Sequence, residues 1–139
     1  MGRNVLGVTS STGSLRAYGH CARGRPGAVA IAVVNLDAAA SGTVLDLKLG
    51  AHNASACTLT QWTITAGVPI RGASNPLASK TSVLNGKPIV VVPHGPLPPM
   101  EGKVLLAGQS SWFPPTSYGF VLVTPSAALA HTGVFAVCQ

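Results

Sequence analysis

Apolar residues in this chain recur at every second position in short runs. Clusters of Gly, Pro, Asn or Ser break each run before the helical period of about 3.6 residues can build. The pattern predicts an all-β chain. Residues 14–21 (SLRAYGHC) alternate Leu15, Ala17 and Gly19 with Arg16, Tyr18 and His20, and Gly24, Pro26 and Gly27 then turn the chain. Residues 28–36 (AVAIAVVNL) are apolar on both faces and read as a central strand. Residues 43–49 (TVLDLKL) alternate leucines with Asp46 and Lys48, predicting one buried and one solvated face. Residues 58–65 (TLTQWTIT) have the Thr, Trp and Ile content of a half-buried pleated surface.

In residues 82–92 (SVLNGKPIVVV), Asn85-Gly86 between apolar runs predicts a hairpin, because both positions tolerate positive φ. Pro88 removes a ladder donor and places the second arm at an edge or bulge. Residues 93–99 (PHGPLPP) predict an extended loop, and residues 103–106 a short strand after it. Residues 117–124 (SYGFVLVT) and 132–138 (TGVFAVC) complete an expected set of about eight or nine strands, the spacing of an antiparallel β-sandwich or barrel. The chain shows no internal repeat and no linker, so residues 1–139 read as a single domain.

Composition sharpens this picture by exclusion. The 139 residues fit one domain. They amount to roughly half of the ~250 a (β/α)₈ barrel typically takes, so a complete barrel does not fit. With 9% charged and 47% apolar residues, the chain reads as globular rather than disordered. Its longest apolar run, residues 28–34, is far short of the ~20 residues of a membrane helix, so no transmembrane segment is expected. The first residues, MGRNVLGVTSSTGS, lack the apolar stretch of a secretory leader.

A formal charge of +6 favours polyanions. Arg16, Arg23 and Arg25 are close in sequence, but the other cations are scattered and no basic run marks a nucleic-acid partner. His20, His52, His94 and His131 lack metal-ligand spacing, and there is no phosphate loop, nucleophile elbow or zinc-protease helix, so no metal and no cofactor are expected. Trp62 and Tyr118 lie within strand patterns and read as core. Trp112-Phe113, before Pro114-Pro115, is the better candidate for an exposed aromatic contact.

Several segments together resemble the C-terminal region of heparanase-like proteins of glycoside hydrolase family 79, plant members in particular. They are MGRNVL at the start, LRAYGHC, VAIAVVNLD, SVLNGKPI, PLPPM, SYGFVLV and the closing FAVC. Residues 38–79 and 127–133 match only in apolar alternation. The resemblance implies a β-sandwich that follows a (β/α)₈ barrel carrying both catalytic glutamates. Residues 1–13 would be the exit segment from that barrel. It also implies a sandwich strand supplied from before the barrel, absent here, which leaves an exposed edge prone to self-association.

The family's pattern pairs the cysteines matching Cys21 and Cys138 in a disulfide, which suits an oxidising compartment: secreted, cell wall, or vacuolar or lysosomal. Cys57 is then left as a small buried hydrophobe. Asn53-Ala54-Ser55 is a glycosylation sequon usable on that route.

A retaining glycosidase needs two carboxyls about 5 Å apart. The acidic residues here, Asp37, Asp46 and Glu101, sit at a strand end, on a strand's polar face and in a loop. No catalytic residue is expected among them. The leading expectation is a non-catalytic accessory domain of a heparanase-like endo-β-glucuronidase that braces the barrel through the Ala-rich outer face of residues 29–34. The alternative is a free-standing carbohydrate-binding module holding acidic polysaccharide with Arg16, Arg23, Arg25 and Trp112. A third is a truncated product with no role of its own.

Overall fold

The computed structural model describes residues 4–10, 13–38, 42–49, 52–53, 56–67, 79–106 and 109–138. Among these the strands run in chain order β1 (Val5–Leu6), β2 (Leu15–Cys21), β3 (Val29–Asn35), β4 (Thr43–Leu45), β5 (Lys48–Leu49) and β6 (His52–Asn53). They continue with β7 (Cys57–Ala66), β8 (Ser82–Leu84), β9 (Lys87–Pro88), β10 (Lys103–Leu105), β11 (Ser111–Phe113) and β12 (Ser117–Pro125), and a short helix α1 (Gly133–Ala136) closes the chain. The described residues are all-β apart from that turn of helix, and they form a two-layer sandwich.

The larger layer is one antiparallel sheet in the order β1-β2-β3-β12-β7-β8-β9, with β10 sharing the β8 side of β7. The smaller layer pairs β4 with β11, and β5 and β6 form a separate ribbon. Alternation decides which side chains meet. Val29, Ile31 and Val33 of β3 and Val121 and Val123 of β12 are buried on the inner face, where they pack with Phe113 of β11 and Phe135 of α1. Leu45 and Leu47 add half-buried contacts from the smaller layer. At Gly19 an added Cβ would lie 2.9 Å from a Val8 methyl and 3.2 Å from Leu6 Cβ, so the missing side chain lets the segment containing β1 lie over β2.

Two buried amides tie the layers together. Gln61 Nε2 donates to the Trp112 carbonyl at 2.7 Å and to Thr63 Oγ1 at 2.6 Å, while its Oε1 accepts from Ser111 Oγ at 3.1 Å. Asn35 Nδ2 donates to the carbonyls of Pro114 at 2.8 Å and Phe113 at 3.3 Å, and its Oδ1 accepts from the Asp37 N–H at 3.1 Å. Both residues stand in the larger sheet and both reach β11 or the residue after it. Buried polar groups satisfied this completely fix register as well as contributing energy.

The Asn85-Gly86 hairpin forms as expected, with φ of 48° and 82°. Asn85 has a second task that sequence spacing does not show. Between β10 and β8 the edge of β7 lacks a partner strand, and the Asn85 side chain fills the gap. Its Oδ1 accepts from the Thr63 N–H at 2.8 Å, and its Nδ2 donates to the carbonyls of Glu101 at 3.0 Å and Gln61 at 3.3 Å. Asn85→Gly keeps the turn and removes these bonds. At about 1 kcal/mol net per bond, it should cost about 2–3 kcal/mol in urea unfolding, where an intact midpoint would remove the clamp from the account.

The structure corrects several expectations. Residues 132–138 are not a strand. Phe135 and Cys138 are both buried, and residues three apart share a face in a helical turn but oppose each other in a strand. Residues 43–49 are not one strand either. The partner β11 ends after three residues, so the chain leaves it at Leu45 and begins the β5–β6 ribbon at Lys48. The second hairpin arm shrinks to Lys87–Pro88, at the sheet's edge. Part of the expected exit segment is β1, and residues 111–113, outside the expected strands, form one.

Candidate docking face

Register places the side chains of the larger sheet's outer face in three cross-strand rows. Tyr18, Ala32, Phe120 and Trp62 form the middle row, on β2, β3, β12 and β7. Arg16, Val34, Tyr118 and Ile64 form the row on one side of it, and Leu84 and Lys87 extend that row onto the hairpin. His20, Ala30, Leu122, Thr60 and Val104 form the row on the other side. The central strand offers alanines where its neighbours offer rings. At strand spacings of about 4.8 Å, the face is a shallow trough with Tyr18 and Phe120 as its walls, about 10 Å apart.

The wall rings are open. Tyr18 is 57% exposed, Tyr118 49% and Phe120 41%, so three aromatic rings on one sheet face meet solvent. Tyr118, expected in the core, therefore belongs to this face. Trp62 is half-buried at its margin, where its indole N–H donates to the Met100 carbonyl at 2.8 Å. Beside the face, a cleft of about 470 Å³ lies between the hairpin and the 98–103 segment, with Leu84, Ile89 and Met100 in its lining and Lys87, Lys103 and Glu101 among its charged groups.

The basic and aromatic residues proposed for glycan contact are distributed over the molecule. Arg16 stands near the start of β2 on the outer face, while Arg23 and Arg25 occupy the turn after β2 ends at Cys21. From position 16 to 21 the strand alone covers about 17 Å. Trp112 lies in the other layer, opposite Val44, with its indole over Gly42, where a Cβ would come within 2.8 Å of the ring. Asp37 follows β3, Asp46 separates β4 from β5, and Glu101 borders the cleft, so the acidic residues fall on three different connections. Among the described residues no group of three His, Cys, Asp or Glu could hold a metal ion.

Cys21 and Cys138 are joined, with their Cα atoms 5.1 Å apart. Cys57 is free and half-buried, and its burial pushes the thiol's pKa up. Asn53 lies in β6, paired with Lys48, and the rest of its sequon falls outside the described residues. Sequence reasoning missed Gln61 and Asn35, and it missed the bridging role of the Asn85 side chain. A polar residue ending the inward face of an otherwise apolar strand was the available signal for Asn35.

No family model matches the chain. Over 54 residues, 39% of this chain, it is 43% identical to inactive heparanase-2 of Mus musculus. The same identity and coverage hold for inactive heparanase-2 of Homo sapiens. The likeness is to heparanases. The matched stretch is 9% of each relative's length, so the chain spans a small part of the curated proteins it matches. The heparanase-like similarity points to a heparanase-related origin for this sandwich.

Proposed function

We propose that this chain is the non-catalytic C-terminal sandwich of a heparanase-like protein of the glycoside hydrolase family 79 type, and that its outer face seats against the (β/α)₈ barrel of that protein. The carrying observation is the open trough of Tyr18, Ala32, Phe120 and Tyr118. Burying aromatic surface of this kind is favourable at roughly 25 cal/mol per Å², and the alanines let helices approach the sheet closely. The smaller layer supports the same reading. Among the described residues, β4 and β11 each pair on one side, so an edge is available there for a strand from elsewhere in the protein. The two relatives are themselves named inactive, which agrees with a role outside catalysis.

The test is coexpression of this chain with the barrel of a heparanase-like protein as a separate polypeptide. Copurification is the expected result, and Ala32→Arg at the floor of the trough should weaken it at least tenfold while leaving the circular dichroism of the isolated chain unchanged. Absence of any association between the two pieces would remove the bracing role.

A further inference from the structure

Past β9 the chain runs Ile89-Val90-Val91-Val92. The Ile89 N–H donates to the Ser82 carbonyl at 2.8 Å, the last rung of the hairpin. Beyond it, the N–H groups of Val90, Val91 and Val92 have no backbone partner among the described residues, and the next backbone bond is from Gly95 N–H to the Val92 carbonyl at 2.9 Å. The three side chains are 69%, 58% and 60% exposed. They follow β9, the outermost strand at its end of the larger sheet, and are not themselves paired as a strand.

Open sheet edges are normally blunted by charge, proline or a bulge. Lys87 and Pro88 protect the first two positions of this edge, and positions 90–92 carry neither. Three consecutive β-branched residues without charge are the composition that pairs most readily with another extended strand.

We propose that residues 90–92 form a self-pairing edge through which two copies of this chain associate antiparallel. The occupant is a second copy because the segment is complementary to itself. Pairing centred on Val91 sets Val90 opposite the other copy's Val92, and it carries the two Lys87 side chains to opposite ends of the seam. On a chain of formal charge +6, this edge brings copies together without setting like charges opposite one another. A two-fold arrangement of this kind closes on itself and stops at the dimer. The edge is distinct from the outer face, and its behaviour does not depend on the barrel.

Size-exclusion chromatography with light scattering on the intact chain, over a hundredfold concentration range, tests this. The expected result is a concentration-dependent dimer whose Val90 and Val92 amides, which face away from β8, gain hydrogen-exchange protection as it forms. Val91→Lys should return a monomer, with dimerisation at least tenfold weaker, whereas Phe120→Lys should leave it intact. Val91 is exposed and its N–H has no backbone partner among the described residues, so this variant should fold, as unchanged tryptophan fluorescence would show. If it does not fold, the exchange pattern of the native chain decides. A monomer throughout the range, association that survives Val91→Lys, or association abolished by Phe120→Lys overturns the proposal.

Discussion

Gly119→Ala is expected to be the most damaging single-methyl addition among the described residues. A Cβ at position 119 would collide with the Trp62 carbonyl oxygen and lie 3.1 Å from the Phe113 ring. The first obstacle is backbone of the neighbouring central strand, which cannot rotate aside as a side chain could. Strands β12 and β7 would have to separate where Gly119 pairs with Thr63, two residues along β7 from the Gln61 amide that holds the smaller layer. Overpacking in a close-packed core costs about 1–3 kcal/mol and more where backbone must move. We expect about 3 kcal/mol or more, and at about 4 °C per kcal/mol a melting temperature lower by about 12 °C. A melting temperature within 2 °C of the parent would show that the two strands have slack there.

Loss of the Cys21–Cys138 bond comes next. It closes a loop of sequence separation 117, and the chain-entropy estimate for a loop of this length is about 4–5 kcal/mol. Cys21→Ser with Cys138→Ser should lower the urea midpoint by that amount divided by the m-value, since the bridge acts chiefly on the unfolded chain. The bridge is also countable. Alkylation of the denatured, unreduced protein should add one label, at Cys57, and three labels would mean that no bridge had formed. In the folded protein, burial raises the Cys57 pKa, so less of its reactive thiolate is present at a given pH than for an open thiol, and labelling there should be slow.

The sequence carried the larger sheet well and the smaller layer poorly, for a physical reason. Strands β2, β3, β7 and β12 are long and flanked on both sides, so their side chains obey strict alternation, and Asn85-Gly86 declares its turn locally. Residues 43–49 alternate just as clearly. Whether they remain one strand depends instead on the length of a partner nearly seventy residues away. Tyr118 was misplaced because alternation assigns faces in pairs but does not say which face is covered. Phe135 and Cys138 were misread because each is apolar under either period. Only the bridge to the end of β2 selects the helical one. The candidate face was legible in part: residues 28–36 announced two apolar faces, and the aromatic walls came from register across strands.

The position of the bridge also determines how the domain carries load. Asn4 Nδ2 donates to the Val137 carbonyl at 3.2 Å, so the two ends of the described chain lie side by side, and the sulfurs of Cys21 and Cys138 connect just inside them. Tension applied between the ends would peel β1 and then β2 from their neighbours as far as Cys21, after which the force would pass through the covalent bond. Residues 22–137, which include most of the core and the whole hairpin edge, would stay unstretched. Coupled to a larger protein at both ends, the oxidised sandwich would act as a short tether with a rigid knot, and the reduced one as an extensible spring.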